Sequence, residues 1–277
     1  MKHFLKSKKC RMISSVMYPV LFGVIIFVLW ETQILHSIMN TSTDVLPVPS
    51  KIASVIGENI SKLTGNLWIT TVPTLIGLVV GSALGYAVAV IASIFIKWGG
   101  GGITLVSCFN AVPIVALAPI FNNLCKHVST DIGIRGMVAK ALVVMMLCMA
   151  SMSINAFRGL TELPPFSTDM MKSYASSKRV TFVKLRLPNS VPYIFTALRV
   201  SVPISVISAL VSEYFIDTRE GSATFCPGLG RMIRDTILKC QYSAAWSYIA
   251  IACLLGITLF AVLMIFESAM LKNRQKQ

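Results

Sequence analysis

Phe157 to Ser190, FRGLTELPPFSTDMMKSYASSKRVTFVKLRLPNS, is the one long polar, mostly basic run in the interior of an otherwise apolar chain. Arg158, Lys172, Lys178, Arg179, Lys184 and Arg186 stand in it against only Glu162 and Asp169. Apolar stretches long enough to cross a bilayer flank it on both sides. Between two spans, such a segment reads as a loop presented to a soluble partner. A lipid-binding surface helix is the competing reading.

The rest of the chain supports the membrane setting. Of 277 residues, 55% are hydrophobic and only 13% charged. A soluble domain carries roughly a quarter charged residues, so the deficit points to a polytopic all-α membrane protein. The net charge of +14 does not indicate nucleic acid. No basic face is interleaved with stacking aromatics, and the charge flanks apolar runs.

Six spans are expected, at about Met17–Met39, Leu67–Ile96, Ile103–Asn122, Gly136–Asn155, Val191–Phe215 and Ala244–Phe266. They divide the chain into a tail over 1–16, a membrane domain over 17–268 with its core from about 60, and a tail over 269–277. The basic N-terminus resembles a signal peptide, but the apolar run after it is too long and no small-residue cleavage site follows. Pro47 and Pro49 read as a stop, with Ser50 capping the next turn and a short surface helix over Lys51–Leu63. Lys97, Trp98 and Gly99 to Gly102 read as a short turn. No Lys-Ser/Thr follows these glycines, so they are not a phosphate loop.

Gly77, Gly81 and Gly85 recur every fourth residue, a helix-packing stripe. Pro113 and Pro119 are expected to kink or break the third span. Ser107, Asn110, Asn155, Ser205, Ser208 and Ser212 are polar residues within spans and candidates for pathway lining. Bonding to their own helix backbone is the other reading for the serines. Glu213 reads as interfacial. Met145, Met146, Met149 and Met152 read as packing filler, not metal ligands. Of the seven cysteines none is in CxxC spacing; Cys226 and Cys240 share one outer loop, and their pairing is left open.

The Lys/Arg excess of the tails and the central loop places both termini and that loop in the cytoplasm of a cell-membrane protein. No catalytic constellation is visible: HExxH and GxSxG are absent, and His3, His36 and His127 are scattered. No cofactor or metal site is expected. A channel or secondary transporter more often carries charge deep in its spans, and here it is nearly absent.

Within the loop, Ser167, Thr168 and Asp169 suit a helix start. Met170, Met171, Tyr174 and Phe182 recur at helical spacing, with Lys172, Lys178 and Arg179 between them, a shape suited to insertion into a groove. DMMKSYASS (169–177), Phe182, Leu187-Pro188 and Pro192-Tyr193-Ile194-Phe195 resemble the EAA loop of bacterial ABC importer permeases. There the pattern is roughly Glu-Ala-Ala, three residues, Gly, then Phe and Leu-Pro with a further Pro. Leu46 to Ser50, NAVPIVALAP (110–119), Leu198-Arg199, Glu213-Tyr214-Phe215 and Gly228-Leu229-Gly230 resemble, in order, motifs of the nitrate/sulfonate/taurine-type permeases. Ala175 stands for the loop glycine, Asp169 for the usual Glu, and Asp217–Pro227 is longer than usual.

The resemblance implies the type I importer fold and a permease that performs no chemistry. It implies cytoplasmic ABC ATPase subunits gripping Asp169, Met170, Met171, Ser173, Tyr174, Ala175 and Ser176, with Lys178 and Arg179 at the edge of the contact. It further implies an extracytoplasmic substrate-binding protein and a second permease copy. The substrate is expected to be a vitamin precursor of the hydroxymethylpyrimidine/thiamine or riboflavin type, or an organic anion such as a sulfonate, taurine or nitrate. The alternative is a secondary transporter or channel not coupled to ATP.

Overall fold

The computed structural model describes residues 2–127, 131–216 and 227–274. Every regular element among them is helical. By contact the chain divides into two units: Met1–Ile60 with Thr236–Ser247, and Ser61–Asp235 with Tyr248–Gln277.

In the first unit, α1 (Lys2–Glu31) ends where Gln33 turns left-handed, and α2 (Ile34–Met39) follows. The continuous span expected over Met17–Met39 is therefore broken near its far end. Pro49 opens α3 (Pro49–Glu58), with Val48 as its cap residue. Ser50 does not cap it; its N–H donates to Glu31 Oε2 at 3.1 Å. A carboxylate from α1 thus takes up a free amide of the first turn, where negative charge is favoured. Trp246 meets Trp30 edge-on at 5.8 Å and donates its indole N–H to the Val45 carbonyl.

The second unit holds the bundle. It comprises α4 (Ile60–Ile94), α5 (Ile96–Ser107), α6 (Ile114–Leu124), α7 (Ile132–Thr161), α8 (Ser167–Ser173), α9 (Lys178–Thr181), α10 (Leu187–Phe215), and most of α11 (Leu229–Leu238) and α12 (Tyr242–Arg274). Four stretches, Ile60–Ile94, Gly133–Thr161, Lys178–Phe215 and Tyr242–Met270, are long and apolar enough to cross a bilayer. A fifth crossing exists if Trp98–Ala111 and Ile114–His127, bent by 95°, are taken as one. Pro113 makes that bend: it caps α6 in extended conformation, while Pro119 sits inside α6 without breaking it. Gly99 to Gly102 form no turn; they lie within α5. Leu254, Ile257, Val262 and Ile265 on α12, like Val79 on α4, are exposed. Such apolar faces are stable only against lipid or another protein.

α7 is the central helix. Its Val144 and Cys148 pack with Leu78, Val202 and Ala209, and its Met152, Ala156 and Leu160 pack with Ala89 and Ala197. The α4–α7 approach is set by glycine. A Cβ on Gly77 would lie 2.6 Å from Val144 Cβ, one on Gly81 would strike the Met145 carbonyl, and one on Gly85 would lie 2.5 Å from the Met149 carbonyl. Ser153 donates across the same seam to the Gly85 carbonyl at 3.1 Å. In lipid, close backbone approach supplies the dispersion contacts that water exclusion cannot.

Gly81→Leu is therefore expected to lower the unfolding midpoint in detergent by the equivalent of about 1–3 kcal/mol, the usual penalty of overpacking. Gly100→Leu should not lower it, because a Cβ at Gly100 meets nothing and leucine is the better helix former.

Candidate functional site: a basic loop on a pinned base

The loop begins as α7 runs out at Thr161, and its two legs are fastened at once. Asn189 Nδ2 donates to the Gly159 carbonyl at 2.7 Å and the Glu162 carbonyl at 3.0 Å, filling acceptors that a helix end leaves open. Gly159 has no room for a side chain, since a Cβ there would sit 2.8 Å from the Tyr193 ring. Arg186 donates to the Ser93 carbonyl at the end of α4, and the Tyr86 hydroxyl meets Ser190 Oγ. The base of the loop is thus held by α4, α7 and α10 together.

The tip is α8. Its cap residue is Phe166, left-handed and without a side-chain bond; Ser167 Oγ donates back to Pro164 instead of capping. At the far end Ser176 N–H donates to the Met171 carbonyl and Ala175 N–H to the Lys172 carbonyl. This is a Schellman closure, and it requires Ala175 to be left-handed, at φ 48°. The glycine usual in the resembling loops is explained by this conformation: an alanine there costs about 1–2 kcal/mol.

Phe166, Met170 and Tyr174, four residues apart on one face, are 82%, 61% and 73% exposed. Asp169, Lys172 and Ser173 are also exposed, while Met171 and Ser176 are half-buried. Asp169 pairs with Lys172 at 3.0 Å in water, a contact of about 0–1 kcal/mol. Phe182 does not belong to this knob. It packs beside Leu187 on the core formed by Met152 and Ala156. Phe166 takes its place, unsuspected from the sequence because it precedes the capping residues.

A second polar centre lies inside the bundle. Glu213 is buried within the chain at 2% exposed, and so is Lys140 on α7 at 6% exposed. Lys140 Nζ donates to Glu213 Oε1 at 2.9 Å and reaches the Ile69 carbonyl at 3.4 Å. That carbonyl has no helical donor, because residue 73 is proline. The three amides of Gly228, Leu229 and Gly230 then dock in a row, on Asn66 Oδ1 (3.1 Å), Thr70 Oγ1 (2.9 Å) and Glu213 Oε2 (2.9 Å). Thr70 in turn donates to Glu213 Oε2 at 2.9 Å. Gly228 holds φ 93°; a side chain there would collide with the Glu213 carboxylate, and one at Gly230 with the Leu210 carbonyl. The acidic motif and the Gly-Leu-Gly motif are thus two halves of one structure. The carboxylate lies at the N-terminus of α11, where the helix dipole favours it. Arg199 makes a bidentate pair with Glu267, 2.6 and 2.9 Å, joining α10 to α12. The spans therefore hold more charge than expected, in ion pairs.

The candidate pathway residues separate. Ser205, Ser208 and Ser212 have no exposed surface, and each donates to its own helix. Asn155 is half-buried and bonds to the Ser151 carbonyl. Ser107, half-buried, and Asn110, exposed, lie at the bend between α5 and α6. The segment 217–226, including Cys226, lies outside the described residues. The remainder of the stretch expected as an outer loop contains α11, a helix its polar composition conceals.

Residues 81–274 match the model of the family described as binding-protein-dependent transport system inner membrane component. The formylaminopyrimidine transport permease protein ThiX of Halalkalibacterium halodurans is 26% identical over 264 residues, covering 94% of this chain and 96% of that protein. A probable ABC transporter permease protein of Haemophilus influenzae is 21% identical over 203 residues, covering 73% and 78%. A solved amino acid ABC transporter chain superposes with a TM-score of 0.58 at 17% identity, covering 78% of this chain and 97% of that one.

Two measurements check these centres. Lys140→Ala or Glu213→Ala alone is expected to cost about 3–5 kcal/mol of stability in detergent by stranding a buried charge, and the Lys140→Met/Glu213→Gln pair to cost less than their sum. Ala175→Gly should relieve about 1 kcal/mol, read as slower hydrogen exchange of the α8 amides.

Proposed function

The chain belongs to the family of binding-protein-dependent transport inner membrane components, the permeases of ATP-driven ABC importers, and from that membership we propose how its loop, its pathway and its substrate are arranged. The ATPase grips α8. The observation that carries this is the row Phe166, Met170 and Tyr174, apolar and exposed on a loop otherwise polar. A soluble partner with an apolar cleft would bury them, and about 25 cal/mol per Å2 of apolar surface would favour it. Asp169, Met171, Ser173, Ala175 and Ser176 complete the helix that enters the cleft. Because the base of the loop is bonded to α4, α7 and α10, displacement of α8 moves three helices together.

Two copies of the chain pair in the membrane, both termini face the cytoplasm, and a binding protein delivers the solute on the opposite side. Ser107 and Asn110, at the bend after α5, are the polar groups retained as pathway lining. The chain itself performs no chemistry. The solute is a pyrimidine vitamin precursor. The near-full-length likeness to a formylaminopyrimidine permease supports this over a sulfonate or nitrate.

Ion-coupled transport is the reading that buried charge would otherwise favour. Lys140 and Glu213 already hold each other, Thr70 and the Gly230 amide, so neither is available to a travelling ion.

Met170→Asp with Tyr174→Asp is expected to abolish co-purification of the ATPase subunit while the permease still folds. Retained ATPase would contradict the docking. In cells, labelled formylaminopyrimidine should be taken up and labelled taurine should not; the reverse result overturns the substrate assignment.

A further inference from the structure

Beside α8 runs a groove of about 760 Å3 whose chemistry differs from that of the knob. Lys178, Arg179 and Arg186 line it together with the Thr181 hydroxyl, over the apolar side chains of Ile94 and Val183. Lys172 also borders it, but that ammonium is already paired with Asp169, the nearest carboxylate of the loop. Arg186 bonds only to a neutral carbonyl, that of Ser93. Three cations therefore share one groove with no carboxylate partner among the described residues. Like charges gathered in this way repel one another unless an anion enters.

The floor of the groove restricts which anion fits. Ile94 is 61% and Val183 58% exposed, and just beyond Ile94 come Phe95 and Trp98, 63% and 84% exposed. This is the end of a membrane-crossing helix, where an exposed tryptophan belongs at the headgroup level. A free phosphate or an acidic protein surface would satisfy the cations and leave these side chains in water. A phosphodiester attached to acyl chains satisfies both.

We propose that the groove seats the phosphate of an anionic phospholipid, held by Lys178, Arg179 and Arg186, with its glycerol and acyl chains against Ile94 and Val183. Lys178 and Arg179 are thereby assigned to lipid instead of to the edge of the ATPase contact. The inference needs only that the chain spans the membrane; it does not depend on the ATPase docking proposed above.

The full-length chain, purified into nanodiscs containing equal phosphatidylglycerol and phosphatidylcholine, is released and weighed by native mass spectrometry. The chain is expected to retain phosphatidylglycerol selectively. Lys178→Gln/Arg179→Gln should reduce that adduct by about tenfold or more, whereas Lys239→Gln, an exposed charge elsewhere, should not. The charge-preserving Lys178→Arg/Arg179→Lys should restore it. An adduct equally abundant in the Gln variant shows general surface attraction and overturns the site. Displacement of the lipid by millimolar inorganic phosphate shows a free-anion site and overturns the assignment to lipid. An unchanged adduct with lost ATPase co-purification shows that these residues belong to a protein contact, which also overturns it.

Discussion

A lysine and a glutamate taken out of water together set the terms for the bundle. Lys140 and Glu213 stand 73 residues apart in sequence and 2.9 Å apart in space. Neither could be buried alone, since an isolated charge in a low-dielectric interior costs several kcal/mol. Each brings further groups with it. Lys140 takes the carbonyl that Pro73 leaves without a donor. Glu213 takes the Gly230 amide and the Thr70 hydroxyl. Three helices and the start of a fourth are thereby fixed in register at one point. The ion pair is weak evidence for stability as such; what it supplies is a set of bonds that only this arrangement of α4, α7, α10 and α11 satisfies.

That registered bundle gives the basic loop its mechanical meaning. A docking helix on a slack tether would move without consequence. Here the tether is short and bonded: Asn189 bridges the two legs, Tyr193 fills the space over Gly159, and Arg186 holds the end of α4. In the docking proposed above, a push on α8 is delivered to helix ends. From there the glycine seam between α4 and α7 and the Arg199–Glu267 fork between α10 and α12 carry it along packed backbones. Close-packed interfaces of this kind shift between discrete arrangements more readily than they deform.

Much of this was readable in the residues. The stripe Gly77, Gly81, Gly85 announced a close helix contact by its spacing, and Pro113 announced a break. The loop could be found because charge is conspicuous in an apolar chain, and its ordered motifs pointed to the permease family. What escaped was of a different kind. Lys140 sits in a run so apolar that a single charge does not disturb its hydropathy, and its partner is on another helix; periodicity carries no information about that pairing. Gly99 to Gly102 looked like a turn because glycine is a poor helix former, yet the long apolar context continues through it. α11 was hidden because Arg231, Arg234, Asp235 and Thr236 give it the look of a polar loop, though its polar and apolar residues alternate with helical period. Ser50 and Ser167 were sound capping residues by type, but Val48 and the left-handed Phe166 hold the cap positions, and the distant Glu31 takes up the amide of Ser50.

In a permease of this family, ATP hydrolysis by a partner, and not an ion gradient, drives movement through these helices. The most direct measurement is solute accumulation in sealed proteoliposomes containing the permease with its ATPase and binding protein. Accumulation that appears with ATP and persists after every ion gradient is collapsed is the predicted result. Accumulation driven by an ion gradient in vesicles that contain the permease alone would contradict it.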